Sequence, residues 1–265
     1  MACESAETLP CSCPSCADYD NIPHMNNKPL IFVSDVHLSS SRQEITACFI
    51  RFLEKWKNKT TGLYILGDFF DFWIGDDTLD DFSLTIINAL KQFTSCGTPC
   101  YFIHGNRDFL VGDTFFQLSG IQPLPDPSVI EYQHKRYLVT HGDYLCVDDV
   151  KYQKFRRFMV ANKKNQRRLL ALPRWLRIII KDYARKKSLS HQKALKQSID
   201  INRRYTLEEC RKHNTNRIIH GHTHRPIIDE FNSQPLVTRV TLPAWDNAGG
   251  YLKINTNGEL SLHEL

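Results

Sequence analysis

The chain has 265 residues, with 34 Lys+Arg against 29 Asp+Glu and a formal net charge of +5. Its 42% hydrophobic and 24% charged residues exclude a disordered or fibrous chain, and no run of 18 or more apolar residues marks a membrane-spanning helix. The +5 is an average: residues 151–212 hold 20 Lys+Arg and only four acids, a balance of +16, which leaves −11 for the rest and suggests an acidic catalytic body carrying a basic partner-binding element.

Residues 1–28 carry Cys3, Cys11, Cys13 and Cys16, but no regular C-x-x-C knuckles, no continuous apolar stretch and no basic start. They read as a flexible extension rather than a zinc site or a secretory signal. Nine cysteines, odd in number and scattered in apolar or helical contexts, fit a reducing cytoplasm.

Leu30–Val33 is an apolar run ending in Ser34-Asp35, the pattern of a buried strand delivering its last residues to a loop. Helical spacing of Ile45, Cys48, Phe49, Phe52 and Trp56 predicts a helix over 44–57. Strand Leu63–Leu66 runs into Gly67-Asp68, a helix follows over 82–93, and strand Cys100–Ile103 runs into His104-Gly-Asn106. Strand, polar loop and helix alternate, as in an α/β sheet whose ligand groups gather at the strands' carboxyl ends. Strands at 129–132 and 136–140 lead to His141-Gly142-Asp143. Residues 152–213 are helix-compatible, with one break at Leu172-Pro173-Arg174, and predict two or three helices. Strand Arg217–His220 runs into Gly221-His222, and strands at 237–242, 251–255 and 259–264 close the chain.

Five strand-end motifs stand out: Asp35-Val-His37, Gly67-Asp68, Gly105-Asn106-Arg107-Asp108, His141-Gly142-Asp143 and Gly221-His222-Thr-His224. Key positions are 33, 38 and 35 residues apart, about one βα or ββ unit each; the next gap, of 81, exceeds such a unit and coincides with the basic helices, which therefore read as an insertion above the site. Imidazole nitrogens with carboxylate and amide oxygens suit Mn, Fe, Co or Zn. Asp68 has two oxygens with which to bridge ions about 3.5–4 Å apart. Alone, each motif is weak, since a lone His or Asp is most often structural. Five in order, each after a strand, are specific.

In this order the motifs resemble the calcineurin-like metallophosphoesterase superfamily. Ser34-Asp-Val-His-Leu38, Leu66-Gly-Asp-Phe-Phe-Asp-Phe-Trp-Ile-Gly-Asp-Asp77, Gly105-Asn-Arg-Asp-Phe-Leu-Val-Gly112, Thr140-His-Gly-Asp-Tyr-Leu-Cys-Val-Asp-Asp149 and His220-Gly-His-Thr-His-Arg-Pro226 are similar, within it, to the UDP-2,3-diacylglucosamine hydrolase family of lipid A biosynthesis. The resemblance covers residues 29–265. It implies a four-layer α/β/β/α sandwich with a helical lid insertion over about 150–213. It also implies two divalent metals, usually manganese, one held by Asp35, His37, Asp68 and His224 and the other by Asp68, Asn106, His141 and His222. Asn106, Arg107 and His141 are the expected catalytic groups. Asn106, Arg107, Asp149, Tyr152, Ser188, Lys193 and His222 are the expected substrate contacts.

The implied reaction cleaves the pyrophosphate of UDP-2,3-diacylglucosamine by water attack at the α phosphorus, giving 2,3-diacylglucosamine 1-phosphate (lipid X) and UMP. Many superfamily members carry His after the Asn, where it helps protonate an alkoxide. Arg107 instead suits a leaving phosphate, a weak base that needs charge neutralisation; an ordinary salt bridge is its other reading. Asp71, Asp76, Asp77, Asp108 and Asp143 are expected to orient ligands or water, with a solvated turn the equal alternative for Asp76-Asp77.

An acylated substrate also implies an apolar lid interior and a basic outer face on an anionic membrane, and so a peripheral protein on the cytoplasmic side of a Gram-negative inner membrane. A metallo-nuclease is the rival reading of the basic surface. The apolar stretch Leu169–Ile180 counts against it, and no nucleic-acid partner is expected. A non-catalytic scaffold would have lost ligands, and all seven are present.

Overall fold

A computed structural model describes residues 28–194, 200–246 and 248–265, with side chains of 187–194 excluded. The Cys-containing extension lies outside the described residues. The first half comprises β1 (Leu30–Val33), α1 (Gln43–Trp56), β2 (Gly62–Leu66), α2 (Asp81–Thr94), β3 (Cys100–Ile103), α3 (Asp113–Ser119) and β4 (Gln122–Pro123). The second comprises β5 (Ser128–Tyr132), β6 (Lys135–Thr140), α4 (Val150–Phe155), α5 (Lys163–Leu170), α6 (Arg174–Ala194), α7 (Arg203–Lys212), β7 (Arg217–His220), β8 (Ile227–Phe231), β9 (Val237–Thr241), β10 (Gly250–Ile254) and β11 (Leu260–Glu264).

Alternation along β1 explains the layers. Ile31 and Val33 pack with Phe49, Phe52, Ile86 and Leu90 of the helices, while Leu30 and Phe32 pack with Tyr137, Val139, Ile219 and Val240 of a second sheet. Both faces are buried, so the strand is apolar throughout. The first sheet runs β11-β10-β1-β2-β3-β4 and the second β5-β6-β7-β9-β8. On the outer face of the second sheet, Cys210 and Tyr205 of α7 pack with Leu138 and Ile218. The order is helices, sheet, sheet, helix: a four-layer α/β/β/α sandwich. Among the described residues no helix is long and apolar enough to cross a membrane.

Register puts the motifs at one end. β1, β2 and β3 are parallel, with Val33 opposite Ile65 and Leu66 opposite Ile103, so Asp35, Asp68 and Asn106 leave the same edge. β6 and β7 are parallel, with Thr140 opposite His220, which brings His141 beside His222.

Three local features depart from expectation. α3 is an unforeseen short helix ended by Gly120 in the left-handed region, whose amide donates to Phe116 O at 2.9 Å. β8 is an extra edge strand, mostly exposed and so without a clear apolar period. Over 152–213 the described residues form four helices, α4 to α7, rather than two or three: besides the break at 171–173, Asn162 caps α5 by accepting from the Lys164 and Asn165 amides at 3.1 Å, Asn202 caps α7 by accepting from the Tyr205 amide at 3.0 Å, and α4 continues through a π turn, Arg156–Val160.

Arg177 straps α6 to the body. It is 3% exposed, pairs with Asp77, and donates to Ile74 O and, at 3.0 Å, to Leu172 O. Asp77 thus serves as the anchor of that strap. Arg177→Ala leaves two carbonyls without their donor, a loss of about 1–3 kcal/mol. Limited proteolysis of the α5–α6 segment is expected to quicken roughly ten-fold, and an unchanged cleavage rate would discard the strap.

Candidate metal centre

Five of the seven predicted ligands sit in left-handed backbone: Asp35 (φ 52°), His37 (52°), Asp68 (50°), His222 (67°) and His224 (53°). Each such residue costs roughly 1–3 kcal/mol, and strain of this kind concentrates at functional sites. The loops are tied together as they leave the strands. Asp35 N donates to Gly67 O at 3.1 Å, His37 N to Asp68 O at 3.0 Å and Gly221 N to His141 O at 3.0 Å. Gly67 has φ 82°, and a Cβ there would lie 2.7 Å from the Gly105 backbone and from His141 Nδ1. Gly221 touches Ser34 and Asp35 so closely that any side chain would displace them. Both glycines are required by close approach.

The side chains converge in two groups. Asp35, His37 and His224 form one, and Asp35, Asp68 and His141 the other, with ligand atoms within 4.8 Å of one another in each. His37 Nε2 and His224 Nε2 face each other at 3.4 Å, and Asp35 Oδ1 lies 3.3 Å from His224 Nε2. Asn106 Oδ1 is 3.1 Å from His141 Nε2, which is 3.7 Å from Asp68 Oδ1. The His222 amide donates to Asp35 Oδ2 at 2.8 Å, and its ring lies 5.0 Å from that of His141. All seven predicted ligands therefore share one neighbourhood.

The electrostatics are those of a cation site. Burial pushes the Asp35 carboxyl up, but His224, His141 and His37 outweigh it and hold it well below the usual range. Burial raises Asp68, and His141 and Arg107 only partly oppose it. Burial would lower His224, yet Asp246 and Asp35 raise it to about 10; His141 is raised to about 9 against burial by Asp68, Asp35 and Asp143. His37 and His222 are both lowered to about 3, by burial first and then by Arg107 and His141 respectively, which leaves neutral imidazoles with free lone pairs. Asp35 Oδ1 and His37 Nδ1 are buried without a hydrogen-bond partner. Two buried carboxylates among four imidazoles, two of them neutral and two drawn to their protons by the carboxylates, with His37 Nδ1 left without a partner, are a donor set that fits a divalent cation.

Arg107 is fixed against the centre. Its amide donates to Asp68 Oδ1 at 2.9 Å, its Nε lies 3.4 Å from Asp68 Oδ2, and its Nη1 donates to Asp71 Oδ1 at 2.8 Å. Asp71 also takes Arg185 of α6 at 2.9 Å. The other acids act through backbone. Asp108 accepts the Gly105 and Phe69 amides at 2.7 Å each. Asp76 accepts Trp73 Nε1, Gly112 N and Phe115 N, so it is no solvated turn residue. Asp149 caps α4 through the Tyr152 amide at 2.9 Å. Tyr152 bonds Asp143, and its ring lies 5.7 Å from that of His222. Ser188 and Lys193 lie outside the described side chains.

Sequence motifs missed Asp246, whose Oδ2 is 3.5 Å from His224 Nδ1, and Arg42, which holds the Trp245 and Asp246 carbonyls. No local signal marks either: the Arg42 contacts span 203 and 204 residues, and Asp246 lies beyond β8 and β9 from His224.

A cavity of about 510 Å³ opens from Asn106 and Arg107 and runs between the body and the inserted helices. Phe72, Trp73, Leu110, Phe155, Met159 and Ile180 line it, and Lys151, Lys154 and Lys181 stand at its sides.

The family model of the calcineurin-like phosphoesterases matches residues 28–226. A protein named UDP-2,3-diacylglucosamine hydrolase from Haemophilus influenzae (strain PittGG) is 43% identical over 230 residues, 86% of this chain and 95% of its own. Proteins of the same name from Proteus mirabilis (strain HI4320) and Escherichia coli O7:K1 are 42% identical over 230 residues (86% and 95%) and 40% identical over 237 residues (88% and 98%). Likeness of this extent takes in every strand end described above, and the chain belongs to the calcineurin-like phosphoesterase family and, within it, to the hydrolases these relatives represent.

Proposed function

We infer that this chain hydrolyses the pyrophosphate bond of UDP-2,3-diacylglucosamine to 2,3-diacylglucosamine 1-phosphate and UMP, a step of lipid A biosynthesis. The observation that carries the reading is the cavity, which joins Asn106 and Arg107 to a mostly apolar lining with lysines among it. A phosphate-bearing head with fatty chains has that polarity.

Asp35, His37, Asp68 and His224 would hold one divalent ion and Asp68, Asn106, His141 and His222 the other, with manganese the proposed metal. When bound, such a pair supplies Lewis-acid charge and an acidified water. Water oxygen bonds to the uridylyl-side phosphorus, the bridging P–O bond breaks, and the sugar 1-phosphate leaves. Arg107, its fork preset by Asp68 and Asp71, neutralises charge on the phosphates. Asn106 and His141 support the same oxygens, and Tyr152, which lines the cavity, is proposed to touch the substrate together with Asp149 and His222. Ser188 and Lys193 are proposed to touch the glucosamine or phosphate.

The lid is proposed to be α4 to α6, with α7 belonging to the body and residues 1–28 a separate extension. On α6, Trp175, Ile179 and Tyr183 recur at four-residue spacing and are 63%, 56% and 68% exposed, beside the cations Arg174 and Lys186. An apolar stripe among cations suits an anionic bilayer surface. The proposed location is peripheral, on the cytoplasmic side of a Gram-negative inner membrane.

The cavity reading is tested with substrates of graded chain length. Each CH₂ buried contributes about 0.8 kcal/mol, so kcat/KM is expected to fall about four-fold per CH₂ removed within the cavity's reach. A flat dependence would remove the acyl chains from it.

A further inference from the structure

Arg156 belongs by sequence to the cationic segment, yet it does not face solvent. Its side chain is 16% exposed and turned under the metal centre. Nε donates to Asp143 Oδ2 at 2.9 Å, Nη2 lies 3.4 Å from Asp126 Oδ2, and the guanidinium lies 5.4 Å from the centre of the Tyr144 ring. Two carboxylates, 15% and 2% exposed, thus share one guanidinium.

Each carboxylate in turn holds a histidine's surroundings. Asp126 Oδ1 accepts Thr140 Oγ1 and, at 3.3 Å, the His141 amide, and Thr140 Oγ1 accepts the Gly142 amide at 3.0 Å. Asp143 Oδ2 accepts the Tyr152 hydroxyl, and the Tyr152 ring flanks His222. The π turn begins at Arg156, where the Ala161 amide donates to Arg156 O at 2.9 Å. Such widened turns recur at functional sites because they re-aim a side chain.

We propose that Arg156 is a positioning residue for the metal centre: from the root of the inserted segment it fixes Asp126 and Asp143, and through them His141 and His222. This rests on the reading of those histidines as ligands. A guanidinium suits the task because Nε and Nη2 point in fixed, separate directions, whereas a Lys ammonium is a single flexible point charge. The insertion is then part of the catalytic frame as well as a cover.

The test titrates Mn²⁺ into metal-stripped, full-length protein by calorimetry, alongside thermal melts and separate kcat and KM measurements. Arg156→Met is expected to weaken Mn²⁺ binding about 10- to 100-fold, as loss of outer partners does. KM for the lipid nucleotide, measured at saturating Mn²⁺, should stay within about two-fold, and Arg156→Lys should restore only part of the affinity. Mn²⁺ affinity equal to the parent's in folded Arg156→Met, whatever the melting temperature, would overturn the proposal. Should Arg156→Met not fold, Asp126→Asn decides. It keeps an oxygen for Thr140 and His141 but loses the charge facing Arg156. Weakened Mn²⁺ binding supports the proposal, and parental affinity overturns it. Asp68→Ala in the same titration separates the two readings. If it too binds like the parent, the metal centre itself fails; if it alone loses binding, only the role of Arg156 fails.

Discussion

Asp68→Ala is expected to lower kcat by at least about a thousand-fold, since a metal's electrostatic contribution of several kcal/mol corresponds to about that factor. Asp68 stands where the two loop systems meet. It is 3% exposed, its Oδ1 accepts the Arg107 amide and lies 3.7 Å from His141 Nε2, and its Oδ2 faces Arg107 Nε. The substitution removes the one carboxylate assigned to both ions and unpins Arg107 together. Asp68→Asn separates charge from shape. Asn tolerates left-handed backbone and keeps an oxygen toward the Arg107 amide, yet cannot bring the negative charge that cations need. Both variants should be inactive while circular dichroism and melting show folded protein. Activity in either within ten-fold of the parent would refute a shared carboxylate.

Arg107→Ala should cost about 10²–10³ in kcat, the usual loss when one preorganised donor to developing charge is deleted. Asp68 and Asp71 hold its guanidinium from two sides at the mouth of the cavity, so it needs little reorganisation as charge builds. Because it acts most strongly in the transition state, kcat should fall with KM changed far less. Arg107→Lys should recover only a small part, because one ammonium cannot meet Asp68 and Asp71 in fixed directions while facing a phosphate. A variant with normal kcat and raised KM would make Arg107 a binding group only. Normal values of both would leave it an ordinary salt bridge.

Much of the layout was legible because parallel strands oblige it. Apolar runs ending in Asp35, Asp68, Asn106, His141 and His222 lie at consecutive carboxyl ends, and those ends of adjacent strands converge. What the periodicity missed depends on contacts made only in the folded chain. β8 pairs with β9 yet exposes most of its residues, so it carries no strong apolar signal. The π turn is defined by a hydrogen bond across five residues, which no residue type announces. Asp76 and Asp108, expected to orient ligands or water, hold backbone amides of the site loops, and no residue pattern tells which amides an acid in a Gly-rich loop will take. Asp246 reaches His224 and Arg42 reaches the Trp245 loop only once β10 has entered the first sheet beside β1.

The acidic body and the basic insertion are also less separate than their charges imply. Arg156, Arg177 and Arg185 each leave the +16 segment to pair with acids of the body, at Asp143, Asp77 and Asp71. Part of the positive charge therefore pairs with the body, and the cations beside Trp175, Ile179 and Tyr183 are the part proposed to meet a lipid surface.

The central claim is tested most directly by stripping the enzyme of metal, restoring Mn²⁺ and supplying UDP-2,3-diacylglucosamine in ¹⁸O-labelled water. The account predicts Mn²⁺-dependent release of UMP carrying the label, with unlabelled 2,3-diacylglucosamine 1-phosphate. Turnover indifferent to metal, label in the sugar phosphate, or cleavage of DNA with the lipid nucleotide untouched would contradict it.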